Sequence, residues 1–119
     1  MSTAESAIAN LCTTYEDCVY RKDYEALSDI YHENILAFDL WGKGIYETKA
    51  DWSNSIKGWL TSLPENEKVR VDIELLKVEA NENAGFAYGF VTYRAIDDDG
   101  TELRKMKNRL SWGLVKVDG

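Results

Sequence analysis

Lys68-Val69-Arg70-Val71-Asp72-Ile73-Glu74-Leu75 is the stretch that decides the fold. Its apolar residues Val69, Val71, Ile73 and Leu75 alternate with Arg70, Asp72 and Glu74, the two-residue period of a strand with one face buried and the other in water. Before residue 67 the apolar spacing is instead the three-and-four rhythm of helices. The chain therefore reads as helices first and strands afterwards, an α+β order.

Downstream of this stretch, Asn81-Glu82-Asn83 supplies a turn. Residues 84–96 are apolar or aromatic at both parities, Phe86, Tyr88, Phe90 and Ile96 against Val91, Tyr93 and Ala95. That is the pattern of an inner strand covered on both sides. Asp99-Gly100 predicts a two-residue hairpin and a long returning strand over residues 102–117, which makes the sheet an antiparallel meander. Val115-Lys116-Val117 then runs into Asp118-Gly119, a common hairpin pair with no strand after it. The expectation is a missing partner strand, because an open edge is normally covered. A truncated form, an edge met by a neighbouring subunit and simple fraying at a terminus all fit.

Upstream, Ile8, Leu11, Cys12, Tyr15 and Val19 lie on one stripe of a helix over residues 3–21, opened by a capping-box pattern of Ser2 and Glu5. Asp23 caps a second helix over residues 24–31, with Tyr24, Leu27, Ile30 and Tyr31 inward. A strand over residues 35–39 and a loop over residues 41–44 follow. Thr48 and Asp51 open a third helix that presents Trp52, Ile56, Trp59, Leu60 and Leu63 on one face and stops at Pro64.

The 119 residues fit a single domain over 1–119, and with 45% hydrophobic side chains the chain can fill a core. Fourteen basic against 21 acidic side chains leave a formal charge of −7, which argues against nucleic acid and anionic membrane surfaces as partners. The N-terminus shows no secretory signal and no apolar run approaches the ~20 residues of a membrane span, so the expected location is cytoplasmic. Cys12 and Cys18, six apart on one helix, are separated by about 9 Å, too far for a disulfide, and read as reduced thiols. A single histidine, His32 at the end of the second helix, excludes a His-rich zinc site; CxxC, HExxH, GxSxG, P-loop and GxGxxG patterns are all absent. No metal and no cofactor is expected.

Tyr15 to Gly42 carries a family pattern: Arg21-Lys22-Asp23-Tyr24-Glu25-Ala26-Leu27, then Tyr31-His32-Glu33-Asn34, then Phe38-Asp39-Leu40-Trp41-Gly42. With the element order above, it resembles the superfamily of nuclear transport factor 2, steroid delta-isomerase and the SnoaL-like polyketide cyclases, over nearly the whole chain. The resemblance implies a cone-shaped α+β fold, three N-terminal helices packed on a curved antiparallel sheet, here without the final strand many members have. It also implies an apolar cavity whose chemistry rests on a few polar groups.

On that resemblance Asp39 stands where the isomerases place a general base, and desolvation there would raise its pKa toward neutrality. Tyr15, 24 residues earlier, matches the tyrosine that donates a hydrogen bond to the developing oxyanion. Asp39 as a loop carboxylate beside Gly42 and Gly44, and Tyr15 as a core aromatic, remain open. The isomerases' protonated acid would fall near Arg109-Leu110-Ser111, where no carboxylate stands, so the pattern departs from steroid isomerisation. Trp41 at the mouth, Trp52 in the wall, and Tyr31, Tyr88, Trp112 and Arg109 are the remaining candidate binding residues. The expected function is binding of a small hydrophobic or aromatic ligand, with cofactor-free isomerase, cyclase or dehydratase chemistry based on Asp39. A non-catalytic ligand-binding or dimeric association module is the alternative, with the outer sheet face as the surface of a homodimer.

Overall fold

The computed structural model describes residues 3–32, 37–38, 45–81 and 83–115. Ser2, Ile35, Asp39, Trp41, Gly42 and Gly44, with Glu82 and residues 116–119, lie outside them, and with them the first capping box, both ends of the strand expected over 35–39, and the turn pair Asp118-Gly119.

Helix α1 spans Thr3–Arg21, as its apolar stripe predicts, and buries Cys18 and Val19. Its end turns sharply: Asp23 N–H donates to Cys18 O at 2.9 Å and Lys22 N–H to Val19 O at 3.1 Å, with Lys22 at φ 59°. This is the helix-terminating arrangement in which a left-handed residue lets the last carbonyls find donors, a position usually given to glycine. Lys22 Nζ also donates to Pro64 O at 2.9 Å, tying the turn to the end of the third helix. The chain passes directly into helix α2, Tyr24–Asp29, whose N-cap Asp23 accepts from Ala26 N–H at 3.1 Å. The helix is two residues shorter than expected: Ile30 and Tyr31 N–H donate to Leu27 O and Ser28 O, a tightened last turn.

Strands β1 (Ala37–Phe38) and β2 (Ile45–Tyr46) pair antiparallel, with Ala37 opposite Tyr46. The sequence reading has no strand at 45–46, because two residues are too few to show a period. Helix α3, Lys49–Ser62, begins as Thr48 Oγ1 accepts from Asp51 N–H at 3.1 Å, and it buries Ile56 and Leu60.

Strands β3 (Lys68–Ala80), β4 (Ala84–Ile96) and β5 (Glu102–Val115) form one antiparallel sheet in the order β3-β4-β5. Val69, Val71 and Val91 close a core with Cys18, Val19, Leu27, Ile56 and Leu60. Helix α1 lies along β3, where Glu16 Oε2 accepts the N–H of Ile73 at 3.0 Å and satisfies an edge-strand donor. A bulge between Leu75 and Lys77 interrupts the alternation and leaves Leu76 57% exposed. Bulges bend the strand that carries them and increase its twist.

Two expectations are corrected. Among the described residues β4 is covered on one face only: Ala87, Val91 and Ala95 are buried, whereas Phe86 and Tyr88 are 43% and 42% exposed on the other. Aromatic side chains at both parities suggest two covered faces, but the helices occupy only the face that carries Ala87, Val91, Tyr93 and Ala95. The second hairpin is also longer than two residues. Asp97 N–H donates to Thr101 O, Gly100 N–H donates to Asp97 O, and Gly100 takes φ 81°, a turn followed by a left-handed residue. Asp97 Oδ1 stabilises it by accepting from Asp99 and Thr101 N–H.

Candidate functional site

Between the three helices and the inner face of the sheet lies a hollow of about 720 Å³. Its wall is aromatic. Trp52 of α3 packs edge-on against Tyr31 (ring centroids 5.8 Å) and tilted against Tyr46 of β2 (5.1 Å). Trp59, two turns further along α3, meets Tyr93 of β4 edge-on at 5.8 Å. These contacts follow from the apolar stripe of α3 and from the inward parity that Tyr93 shares with Val91 and Ala95.

A few polar atoms converge on this wall. The hydroxyls of Tyr15 and Tyr93 lie 2.9 Å apart, one donating to the other. Trp52 Nε1 is buried with no hydrogen-bond partner among the described residues, an uncommon state for an indole N–H. Burial pushes the Tyr31 hydroxyl well above the ordinary phenol range, and Tyr93 adds to the rise. Ser55, Asn108 and Lys105 add to the polar lining. At the rim, Arg104 donates from both terminal nitrogens to Glu67, at 2.9 and 2.6 Å. That fork, opposed by burial and aided by the charges of Arg104 and Lys22, holds the Glu67 carboxyl below its usual range. A second concavity, at the β3–β4 hairpin tip by Glu5, Val78 and Phe86, opens broadly to solvent and has no comparable aromatic wall.

The candidates from sequence separate. Tyr15, Tyr31 and Trp52 line the hollow, and Trp112 sits behind Tyr15 with ring centroids 6.0 Å apart. Tyr88 and Arg109 do not join them. Both occupy the opposite parity: Tyr88 stacks on Phe86 on the outer face (6.4 Å, 5° between planes), and Arg109 pairs in register with Phe90. Asp39 and Trp41 lie outside the described residues. Trp59 lies on the face expected of the third helix, whereas sequence reasoning misses Tyr46 and Tyr93 as site residues, since a two-residue strand shows no period and apolar residues at both parities of β4 do not say which set turns inward.

Among the described residues no group of three His, Cys, Asp or Glu side chains could hold a metal ion. Cys12 and Cys18 are free and buried, and burial raises both thiols above their ordinary range, which suppresses the reactive thiolate. No helix among the described residues is long and apolar enough to cross a membrane.

No family model matches the sequence, and no curated protein matches it. Solved structures do. An NTF2-like protein of unknown function from Pseudomonas putida KT2440 is similar over 100% of this chain and 81% of its own, at 22% identity and a TM-score of 0.79. The protein Aln2 from a Streptomyces species is similar over 100% of this chain and 85% of its own, at 12% identity and a TM-score of 0.81. A protein assigned as a calcium/calmodulin dependent protein kinase II association domain, from Xanthomonas campestris, is similar over 95% of this chain and 77% of its own, at 16% identity and a TM-score of 0.73. At such identities the likeness is one of fold. Helices packed on a three-stranded antiparallel sheet, in this order and with these neighbours, give the chain an NTF2-like α+β fold.

Proposed function

We propose that the chain binds a small hydrophobic or aromatic molecule in the hollow between its helices and the inner sheet face. The observation that supports this best is the wall itself: aromatic rings from α3, β2 and β4 around about 720 Å³, with the Tyr15–Tyr93 hydroxyl pair and the Trp52 N–H as its few polar points. In this reading the chemistry is cofactor-free isomerase, cyclase or dehydratase proton transfer. Asp39 is the general base and Tyr15 the hydrogen-bond donor, its hydroxyl oriented by Tyr93. Support for Asp39 comes from its place in the chain: it follows β1, whose Ala37 pairs with Tyr46 of the wall. Free buried thiols agree with a cytoplasmic location.

The test is native mass spectrometry of the purified protein, read with titration of an apolar fluorescent probe, 1-anilinonaphthalene-8-sulfonate. A retained non-protein mass, or probe binding that Ser55→Phe abolishes at unchanged melting temperature, is the expected result. Probe binding insensitive to Ser55→Phe would remove the hollow as the site. Once a substrate is in hand, Asp39→Asn lowers turnover by orders of magnitude with the fold intact; unchanged turnover would remove Asp39 as the base.

A second reading, association between copies, is favoured by a different surface. The outer sheet face leaves Phe86 and Tyr88 stacked and about two-fifths exposed, and one neighbour of this fold is assigned as an association domain. Its test is the oligomeric state by sedimentation velocity over a range of concentrations. A homodimer is expected, and a monomer throughout would exclude it.

A further inference from the structure

We infer that the molecule held in the hollow is an aromatic or apolar carboxylate, its acid group bound at the rim by Arg104 and a second oxygen facing the indole N–H of Trp52. The inference rests on the reading of the hollow as a ligand site and names the class of ligand. The sign of the lining is its starting point. In a chain of formal charge −7, the charged residues that line the hollow, among those described, are Arg104 and Lys105, both basic. A cleft lined by one sign of charge focuses its field, so this one favours anions although the chain as a whole repels them.

The rim ion pair is open on its cationic side only. Arg104 stands opposite buried Ala95, on the parity of β5 that Met106 and Asn108 share along the hollow. Glu67, in the turn between α3 and β3, has its N–H on Pro64 O at 3.0 Å and its carboxylate forked onto both terminal nitrogens of Arg104. The Glu67 side chain is 10% exposed and that of Arg104 is 61% exposed. An incoming anion therefore meets the guanidinium and not the carboxylate behind it. The fork uses two of the guanidinium's N–H donors and leaves the others without an acceptor among the described residues. It also holds the guanidinium in place, so less side-chain freedom is lost when a ligand docks. Glu67 offsets one of the two positive charges on the lining, so the rim matches a monoanion better than a phosphate dianion.

The other end of the ligand follows from Trp52. Its Nε1–H can only donate, and it is buried without a partner among the described residues. A hydrocarbon would leave that donor unpaired, whereas a keto, hydroxyl or ether oxygen would satisfy it. The molecule that fits this lining has an apolar ring body against Trp52, Tyr46 and Trp59, and oxygen acceptors at two places.

The test is competition for a neutral fluorescent reporter, N-phenyl-1-naphthylamine, on the wild-type chain at low salt. 2-Naphthoate and 2-naphthamide share one ring system and differ in charge. Naphthoate is expected to displace the reporter about 10-fold better, the factor that one charge-assisted contact supplies. In Arg104→Gln/Glu67→Gln, which removes the anchor without stranding a buried carboxylate, the two should compete equally, with naphthamide as in wild type. Equal competition on the wild-type chain, or a preference that survives in the double variant, would overturn the inference. So would 1-naphthyl phosphate competing better than naphthoate. Reporter binding that is absent, or insensitive to Ser55→Phe, would instead overturn the hollow as the site. Should the double variant lose the wild-type melt, salt decides on the wild-type chain. Naphthoate's advantage should shrink as salt screens the anchor while naphthamide's affinity holds, and an advantage independent of salt would refute the contact.

Discussion

Gly89→Ala tests the bent sheet most directly. Gly89 lies opposite Leu75, where β3 bulges before Lys77. A Cβ at Gly89 would stand 1.9 Å from the carbonyl oxygen of Glu74 and 2.9 Å from both its carbonyl carbon and Leu75 Cα. All three are backbone atoms of a hydrogen-bonded neighbour, so no side-chain rotation relieves the clash and the two strands must separate at the bulge. Overpacking of a close-packed site costs about 1–3 kcal/mol, and an obstruction made of backbone belongs at the top of that range, about 3 kcal/mol. At roughly 2.1 cal/mol/K per residue, a chain of 119 residues unfolds with about 0.25 kcal/mol/K, so the melting temperature should fall by about 12 °C. Gly113→Ala is the control. A Cβ there meets nothing within 4 Å, and removing a strand glycine leaves the melt unchanged or raises it by a few degrees. Thermal melts by circular dichroism, at one fixed protein concentration, read both variants. A Gly89→Ala melt within about 3 °C of wild type, or an equal loss in Gly113→Ala, would refute the account of the bulge.

Two further predictions concern pH. Burial raises the Tyr31 hydroxyl, so the folded state holds its proton after the unfolded state, with its phenol near pKa 10.0, has begun to lose it. The stability this represents is complete below about pH 10 and declines as pH rises further; urea midpoints through that window should fall more steeply for wild type than for Tyr31→Phe, and equal slopes would contradict the buried, neutral phenol. Glu67 has the opposite sign. Arg104 holds its carboxyl below the ordinary value of 4.5, so its contribution is present above about that pH and disappears as pH falls. The gap in denaturation midpoint between wild type and Glu67→Gln should accordingly narrow from neutral pH toward about pH 3, and a gap independent of pH would show that the fork with Arg104 is not its source.

What is legible in the sequence is local. The Thr48 cap, the Asp23 cap and the change of apolar period at residue 67 each need only a few consecutive residues, and each is found where the chain announces it. Parity is not legible where both faces of a strand are apolar. On β4, nothing in the alternation of Phe86, Tyr88 and Phe90 against Ala87, Gly89 and Val91 says which set meets the helices. Space decides it: the helices lie over the small residues, and the aromatics turn outward. Tyr88 follows that outward set, and Arg109 follows it through its pairing with Phe90. The bulge is harder still, because it depends on how β3 meets β4. Across it the parity changes, so that Val78 rather than Lys77 pairs with buried Ala87.

The same parity makes the two proposed roles separable. A residue's contribution to one face of a strand leaves the other face to its neighbours, so β4 can present Tyr93 to the hollow and Tyr88 to a second copy without either side chain compromising the other. The outer-face acids and bases Asp72, Glu74, Lys107 and Arg109 alternate with Val71, Ile73, Asn108 and Leu110 on the inward parity. Charge reversal outside should therefore leave probe binding in the hollow intact, and Ser55→Phe should leave association intact. Were the two to change together, the sheet would have to be transmitting strain between its faces. The place to seek that coupling is the bulge opposite Gly89, where the backbone of β3 leaves no room for a side chain on β4.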